Sequence, residues 1–395
     1  MANVSSSNGL EKRPKLRFPG FDEPWKKCEF KEFAKVNPKC QSIPEQFYYI
    51  DLGSVEDGEL SNAKIENALS APSRAQRLLS CNDVLFQTVR PYQQNNYLFC
   101  KERSLPTVAS TGYAVFRTKY DVPFLYALIH TGHFLNSVLS RCTGTSFPAV
   151  SASDIEDILV SIPSLGEQQK IGELFRLLNS KIRKQKALIE SLKKYKRGVN
   201  NQILSQIDNS YNCRLGSVCE IVGGGTPDTL HTEYWGNTVE WFTPSEIGKT
   251  KYVNNSVRKL SDIGLDNSSA KLLPIGTVLL TTRATLGEMS IAKQECSTNQ
   301  GFQSLIPHTD RVSSEYLYYM QIIIKPWCEK YASGNTFREI SKSALSDCII
   351  PIPDRARQEQ IVKLLSSIDM LIGAAESISM SLSKIRHGLM QQLFI

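Results

Sequence analysis

An internal repeat limits the fold of this 395-residue chain more than any other feature. When the sequence is shifted by 190 residues without a gap, the segment from Gly144 to Leu204 aligns with the segment from Gly334 to Phe394. The two segments share 16 identities in 61 positions, whereas random pairing at ordinary residue frequencies gives about 4. A repeat of this length predicts that the chain contains two copies of one structural plan.

Each copy contains a proline followed by the polar start of a helix. The sequence reads IPSLGEQQKI at 162–171 and IPDRARQEQI at 352–361. In both, the proline ends an apolar segment, and a glutamine, Gln168 or Gln358, falls in the first turn of the helix that follows. The pattern leaves open whether these glutamines cap the helix or contact a partner.

The helices that follow are predicted to be long and amphipathic. In the second copy an apolar seam repeats alternately three and four residues apart, as in a coiled coil. A helix of about 34 residues is about 50 Å long, and a seam of that length favours antiparallel packing of the two helices on each other. The second seam is Ile361, Leu364, Ile368, Leu371, Ala375, Ile378, Leu382, Ile385 and Leu389. The first is Ile171, Leu174, Leu178, Lys181, Gln185, Leu188, Leu192, Tyr195 and Val199, which Lys181 and Gln185 interrupt.

The segments outside the long helices have mixed strand and helix character. DVLFQTVRP at 83–91 and GTVLLTTRA at 276–284 are both β-rich and end in an arginine and a turn. Single helices are predicted at 122–140 and 313–332. The fold class is therefore α/β (mixed), with two pseudo-symmetric globular domains separated by two long antiparallel helices. The predicted divisions are a flexible tail at 1–14, a domain at 15–162, a helix at 163–205, a linker at 206–211, a domain at 212–352 and a helix at 353–395.

Composition places the chain among ordinary globular proteins, with 41% hydrophobic and 22% charged residues. The N-terminal sequence lacks the apolar stretch of a secretory signal, and no run reaches the roughly 18 apolar residues of a membrane span. The ten cysteines are scattered without a CxxC pair, which suits reduced thiols. We therefore expect a cytoplasmic protein. Its net charge of +7 permits a polyanionic partner without requiring one.

The sequence lacks the motifs of catalysis. IVGGGTPD at 221–228 does not have the spacing and lysine of a phosphate-binding loop and is predicted to be a turn. No adenine methyltransferase tetrapeptide occurs. Asp22, Glu29 and Lys31 imitate a nuclease site only faintly. His130 and His133 lie three residues apart on an apolar helix with no third ligand, which favours packing over zinc binding.

The chain resembles the specificity subunit of type I restriction-modification enzymes. The resemblance covers nearly the whole chain and is carried by the repeated helix start and by four further stretches in order. These are LRFPGFDEPW (16–25), GGGTPDTLHTEYWG (223–236), GTVLLTTRATLG (276–287) and NQGFQSLIP (299–307). The resemblance implies two target recognition domains, each reading one half of a bipartite double-stranded DNA site, with the long helices setting the spacer.

The resemblance also implies partners. Methyltransferase subunits would dock on the helices, and motor-nuclease subunits would join them for restriction. The specificity subunit itself is non-catalytic, so S-adenosylmethionine, ATP and magnesium are expected on the partner subunits and no cofactor on this chain. A stand-alone sequence-specific DNA-binding protein is the alternative, and a helical scaffold that never contacts DNA is a further one.

Turns rich in arginine and amides are the expected places for DNA contact, since lysine and arginine hold phosphates while arginine and amide side chains read base edges. A second interpretation is that the arginines brace the shared scaffold and the amides form a solvated loop. The predicted DNA-binding residues of the first half are Arg90, Gln93, Gln94, Asn95 and Asn96. Those of the second half are Thr281, Arg283 and Thr285, with Asn299 and Gln300 nearby.

The central helix carries the basic run KIRKQKALIESLKKYKRG at 181–198. Such a run on a helix is commonly a solvated face; contact with DNA phosphates and docking of an acidic partner are the alternatives. The C-terminal copy is far less basic, which does not suit a symmetric DNA contact. The predicted partner-docking residues are Ile171, Leu174, Lys193, Lys194, Ile361 and Leu364.

Overall fold

The computed structural model describes residues 13–39, 42–61, 63–100, 104–208, 211–283, 285–334 and 338–395. The chain divides into two compact units. Unit 1 comprises residues 1–187 and 376–395, and unit 2 comprises residues 188–375. Most of the predicted tail at 1–14, and part of the predicted linker at 206–211, lie outside the described residues.

The described residues of unit 1 form two four-stranded sheets and two strand pairs. Its strands are β1 (Lys26–Glu29), β2 (Lys35–Val36), β3 (Gln46–Ile50), β4 (Val55–Glu56), β5 (Glu59–Leu60), β6 (Lys64–Asn67), β7 (Ala75–Leu78), β8 (Asp83–Gln87), β9 (Tyr97–Phe99), β10 (Thr107–Ser110), β11 (Tyr113–Arg117) and β12 (Leu159–Ile162). Its short helices are α1 (Phe30–Phe33), α2 (Val122–Leu128), α3 (Gly132–Leu139) and α4 (Ala152–Glu156), and α5 (Leu165–Ser205) begins in it. The sheet orders are β6-β3-β10-β7 and β2-β11-β8-β9.

In unit 2 the part of the chain that the structure describes forms a five-stranded sheet, a four-stranded sheet and one strand pair. Its strands are β13 (Asn212–Arg214), β14 (Cys219–Gly223), β15 (Trp235–Gly236), β16 (Val239–Phe242), β17 (Tyr252–Val253), β18 (Arg258–Leu260), β19 (Val278–Leu280), β20 (Met289–Ala292), β21 (Cys296–Thr298), β22 (Gln303–Pro307) and β23 (Ile349–Pro351). Its helices are α6 (Asp262–Asp266), α7 (Ser314–Tyr319), α8 (Gln321–Tyr331) and α9 (Lys342–Ser346), and α10 (Arg355–Leu393) begins in it. The sheet orders are β14-β22-β19-β20-β17 and β15-β18-β16-β21.

The two units follow one plan, which confirms the predicted mixed α/β class and its duplication. In each, the first strand pairs antiparallel with the strand that precedes a long helix, β1 with β12 and β13 with β23. Each also has one parallel pair in a four-stranded sheet, β3 with β10 and β16 with β21.

The long helices α5 and α10 run antiparallel to each other within each unit, as predicted. In unit 1 the Arg386 guanidinium lies 3.2 Å from the Asn179 side-chain oxygen, and the ring centroids of Phe175 and Phe394 lie 5.8 Å apart. The residue number on α10 falls as the number on α5 rises, which is the signature of antiparallel helices.

Unit 2 shows the same relation. The Lys196 ammonium lies 2.5 Å from the Asp369 carboxylate, and Ile203 and Ile361 line one groove.

The predicted seam has the right period and is wrong at several positions. In unit 2 the buried positions of α10 are Ile361, Leu365, Ile368, Ile372 and Ala375. Leu364 and Leu371 are 45% and 58% exposed. The shift arises because α10 packs on the globular core of unit 2 as well as on α5, so its buried face is wider than a two-helix seam and turned toward the domain. In unit 1, Ile378 and Ile385 of the same predicted seam are also exposed.

The domain helices predicted as single elements are each broken in two. In unit 1 the Thr131 hydroxyl accepts a hydrogen bond from the Phe134 N–H and starts α3 as a new helix. In unit 2 the break between α7 and α8 falls at Met320. The segment at 221–228 was predicted to be a turn, but strand β14 continues to Gly223 and residues 224–228 form no turn. Gly224 and Gly225 serve close packing, because a Cβ on Gly224 would lie 1.9 Å from the Asn299 carbonyl oxygen and one on Gly225 would lie 2.3 Å from the Ser269 backbone.

The repeated glutamines join each long helix to its own domain. The buried Gln168 amide donates to the Pro163 carbonyl (2.9 Å) and accepts weakly from the Asp121 N–H (3.5 Å). Gln358 repeats both contacts, with the Pro353 carbonyl (2.9 Å) and the Ser313 N–H (3.2 Å), and adds the Arg311 carbonyl (2.8 Å).

Asp121 and Ser313 are the N-cap residues of α2 and α7. Each glutamine therefore links the start of a long helix to the start of a domain helix.

Among the described residues, no helix is long and apolar enough to cross a membrane.

Candidate nucleic-acid interface

In unit 1 the candidate interface is the loop that follows strand β8. The side chain of Gln87, at the end of β8, is buried and hydrogen-bonds to three residues of this loop. Its amide nitrogen donates to the Val89 carbonyl and to the Gln93 side-chain oxygen, both at 2.8 Å. Its amide oxygen accepts from the Asn95 N–H at 3.1 Å. One side chain thus sets the path of the whole loop.

Asn96 closes the same loop and is fully buried. Its side-chain oxygen accepts from the Gln87 N–H (2.9 Å), and its side-chain nitrogen lies 3.3 Å from Nε2 of His130. The Tyr126 hydroxyl donates to the Asn96 carbonyl (3.1 Å). Asn96, predicted to contact DNA, is therefore committed to holding the loop and is not presented to a ligand.

His130 is a half-buried part of this network, in line with the packing role favoured for it. Its Nδ1 lies 2.7 Å from the Tyr126 carbonyl, which can only accept, so Nδ1 carries the proton and Nε2 accepts from Asn96. Burial lowers the pKa of His130 to about 4, and the positive charge of Arg386 acts in the same direction. The imidazole is therefore neutral at physiological pH.

The side chains of Arg90 and Gln93 are accessible to solvent on this loop. Arg90 has a left-handed backbone (φ 55°), and its guanidinium lies 4.3 Å above the ring centre of Phe147. Its Nε has no hydrogen-bond partner among the described residues. Gln93 is exposed, Gln94 and Asn95 are half-buried, and the neighbouring Tyr92 is 54% exposed. The sequence interpretation missed the exposed ring of Phe147, although its identity with Phe337 in the repeat marked the position.

In unit 2 the candidate interface follows strand β19. Thr281 is buried; its hydroxyl donates to the Thr285 carbonyl and accepts from the Glu288 N–H at 3.0 Å. Thr281 therefore shapes the turn and is not exposed for DNA contact, whereas Thr285 is exposed. The Arg283 guanidinium lies 2.9 Å from the Glu339 carboxylate, so this arginine has a scaffold partner.

A carboxylate that the sequence interpretation missed holds this second loop. Glu288 pairs with the Lys325 ammonium at 2.6 Å and accepts from the Gln321 amide at 3.1 Å. Both partners lie on α8. No sequence pattern marked Glu288, because the pairing joins residues more than thirty positions apart.

Asn299 and Gln300 lie beside the glycine-rich segment of unit 2. The Asn299 side chain accepts from the Gly301 N–H at 2.9 Å and is half-buried. Gln300 is exposed, and its side-chain oxygen accepts from the Thr226 hydroxyl. The structure thus brings Gln300 next to the segment that begins at Gly223, a contact that the sequence did not predict.

Three basic side chains of the α5 run form ion pairs within their own units. Arg183 lies 3.2 Å from Glu59, and Lys186 lies 2.7 Å from Asp57 in unit 1. Lys196 pairs with Asp369 in unit 2. Exposed ion pairs of this kind contribute little stability, but they reduce the charge that the run presents to DNA.

The predicted partner-docking residues differ in accessibility. Ile171 and Ile361 are buried in the cores of their own units, which removes them from a docking surface. Leu174 and Lys193 are half-buried. Lys194 and Leu364 are exposed.

Comparisons with known proteins connect this architecture to one family. The family model described as the type I restriction modification DNA specificity domain matches twice, over residues 23–194 and 208–380. The MjaIX specificity subunit of a type I restriction enzyme from Methanocaldococcus jannaschii is 35% identical over 186 residues. That match covers 46% of this chain and 43% of the relative, so it spans less than half of the relative's length.

Two further relatives cover more of the chain at lower identity. The HindI specificity subunit from Haemophilus influenzae is 21% identical over 372 residues, covering 73% of this chain and 80% of the relative. A solved type I restriction-modification S subunit from M. genitalium is 14% identical, covers 97% and 99% of the two chains, and has a TM-score of 0.60, which shows a shared fold. Because the family model matches most of both halves, this chain belongs to the type I restriction modification DNA specificity domain family.

Proposed function

We propose that this chain is the specificity subunit of a type I restriction-modification complex and that each unit reads one half of a bipartite DNA site. The observation that carries the proposal is the double match of the specificity-domain model to two units of one plan. Their loops after β8 and β19 share an arginine, Arg90 or Arg283, but the polar residues that follow differ: four amides at 93–96 in unit 1, and Thr285 and Glu288 in unit 2. Two copies of one scaffold with different loops suit the reading of two different sequences.

The side chains available for base readout are the exposed ones. In unit 1 these are Gln93 and the accessible part of Gln94, Asn95 and Arg90. In unit 2 they are Thr285 and Gln300, with Asn299 and Arg283 partly accessible. Amide and guanidinium groups make paired hydrogen bonds to adenine and guanine edges in the major groove. Asn96 and Thr281 support these loops from inside.

We assign catalysis to other subunits of the complex. Methyltransferase subunits, docking on α5 and α10, would bind S-adenosylmethionine, and motor-nuclease subunits would use ATP and magnesium. The chain would act in the cytoplasm, where such a complex meets its DNA. Among the described residues, no cluster of three or more His, Cys, Asp or Glu side chains is arranged to hold a metal ion.

The proposal is tested by expressing the chain together with the methyltransferase subunit encoded beside it and sequencing the host DNA for methylated adenine. We expect a gapped, two-part motif that appears only when this chain is present. The control is the same methyltransferase expressed with a chain truncated before residue 212. An active methyltransferase that yields no new motif with the full chain would contradict the proposal.

A further inference from the structure

Unit 2 has an open groove between α5 and α10. Its volume is about 330 Å³, and its lining includes Val199, Gln202 and Ile203 from α5 and Arg357, Ile361 and Leu364 from α10. The floor is apolar and buried at Ile203 and Ile361, whereas the rim residue Leu364 is 45% exposed. The lining contains one charged side chain, the guanidinium of Arg357, and no carboxylate.

The repeat identifies the same surface in unit 1, where it is covered. A shift of 190 residues places Arg357 on Glu167, Leu364 on Leu174, Gln202 on Gln392 and Ile203 on Leu393. In unit 1 this surface carries a stretch of the chain's own N-terminal part, residues 16–25, which we call the N-terminal segment. The segment lies outside any helix or strand and turns at Pro19 and Gly20.

The N-terminal segment is held by three kinds of contact. The Leu16 N–H donates to the Gln392 carbonyl at 3.0 Å. The Arg17 guanidinium binds both carboxylate oxygens of Glu167, each at 2.8 Å, and the indole N–H of Trp25 donates to the same carboxylate at 3.2 Å. The ring of Trp25 packs edge-on against Phe394, with 6.2 Å between ring centroids. Glu167 is buried under these contacts, with 1% of its surface exposed.

The charge at the centre of the surface is inverted between the units. In unit 1 the Glu167 carboxylate binds the guanidinium of Arg17, and the corresponding residue of unit 2 is Arg357. The Arg357 guanidinium lies 3.3 Å from the neutral side-chain oxygen of Gln360. A segment that binds unit 2 in the same way needs a carboxylate in place of Arg17. The N-terminal segment of a second copy would instead bring Arg17 against Arg357, and like charges disfavour it.

We propose that the unit 2 groove is the docking site for a segment of a partner protein in which a carboxylate, flanked by apolar side chains, pairs with Arg357. The carboxylate forms a charge-assisted pair with the guanidinium, and an apolar side chain covers the exposed Leu364. This inference rests on the proposed function only in that it takes the chain to work in an assembly.

The test uses two labelled peptides of residues 14–26, one natural and one carrying Arg17→Glu, titrated with the full-length chain and followed by fluorescence anisotropy. The R17E peptide should bind the natural chain, and Arg357→Glu should weaken it about tenfold or more, as expected for the loss of a charge-assisted pair. The natural peptide should show the opposite preference and bind the R357E chain more tightly. This gain also shows that the variant is folded.

Lys363→Glu is the matched control, because Lys363 is exposed, adjacent to Leu364 and outside the groove lining. It should leave the binding of both peptides unchanged. Equal binding of the R17E peptide to the natural and R357E chains, or no binding to the natural chain, would overturn the proposal. Tighter binding of the natural peptide to the natural chain would overturn it too, in favour of a second copy. The assay contains neither DNA nor methyltransferase, so its failure would leave the proposed function standing.

Discussion

The loops after β8 and β19 occupy corresponding places in the two units but are held by different chemistry. In unit 1 neutral groups hold the loop, through the amides of Gln87 and Asn96 and the imidazole of His130. In unit 2 ion pairs hold it, through Glu288 with Lys325 and through Glu339 with Arg283. The strands that carry the two loops have the same arrangement. The comparison shows that one strand scaffold can be retained while the polar contacts that hold its loop are replaced.

The ends of the long helices show a second difference of the same kind. The glutamine joint is kept in both units, whereas the neighbouring residue changes from Glu167 to Arg357. The glutamine, which is the same in both units, hydrogen-bonds to the domain of its own unit. The residue beside it, which differs, points away from that domain, and in unit 1 it binds the N-terminal segment.

The largest effect is expected where a buried charge loses its partner. Arg17→Ala removes the guanidinium from Glu167 and should cost about 4 kcal/mol in the local stability of the N-terminal segment, since it leaves a buried carboxylate without its cation. Hydrogen exchange at the Leu16 amide should rise accordingly. Arg357→Ala is the matched change in unit 2 and should leave exchange there nearly unchanged. Equal effects of both changes would contradict the difference drawn between the two helix ends.

Acid should weaken unit 1 through His130. Because its folded pKa of about 4 lies below the ordinary value of 6.5, the unfolded chain binds the proton more strongly. The stability that this group contributes is therefore full above about pH 6.5 and is lost as the pH falls toward 4, by about 3 kcal/mol in all.

Urea unfolding between pH 7 and 4 measures this loss, followed by the fluorescence of Trp25 in a chain whose three unit 2 tryptophans are replaced by phenylalanine. His130→Gln should flatten the pH dependence. His133→Gln, at an exposed position three residues away, should not. A pH dependence that survives His130→Gln unchanged would show that the imidazole does not support the loop.

The glutamine joints should differ in strength between the units. Gln358→Ala leaves the Pro353 and Arg311 carbonyls and the Ser313 N–H without their partner and should cost about 2 kcal/mol. Gln168→Ala removes one good and one long hydrogen bond and should cost about 1 kcal/mol. Thermal unfolding of the two variants should rank them in this order, with the exposed Gln169→Ala and Gln360→Ala as controls. The reverse order would mean that the joints are held by something other than these hydrogen bonds.

The smallest effects are expected from single readout residues. Gln93→Ala and Gln300→Ala should each cost about 1 kcal/mol in DNA affinity, the lower end for one base contact. The loss of stability should be small, because both side chains are exposed and each gives up one hydrogen bond, from Gln87 and from Thr226 respectively. Each should relax the methylated motif in one half only, and in different halves. Asn96→Ala should instead lower the stability of unit 1. If Gln93→Ala relaxed both halves of the motif, the assignment of one loop to one half-site would fail.

The duplication, the mixed class and the antiparallel long helices could be predicted because repeats and heptad periods are local patterns in the sequence. The exact buried face could not, because Leu365 replaces Leu364 in the core only through contact with the globular part of unit 2. The burial of Asn96 and Thr281 was missed for a similar reason. An amide or hydroxyl in a turn reads the same in sequence whether it faces solvent or the turn's own backbone. Thr281 turns inward to bond the backbone of its own turn, and Asn96 does so in contact with His130, which is distant along the chain.

The central claim is that the two units read separate halves of one DNA site. It is tested most directly by replacing residues 212–352 with the corresponding domain of another family member and sequencing the methylated DNA produced with the same methyltransferase. The account predicts that one half of the gapped motif changes while the other half stays as it was. A change in both halves, or in neither with full methylation retained, would contradict it.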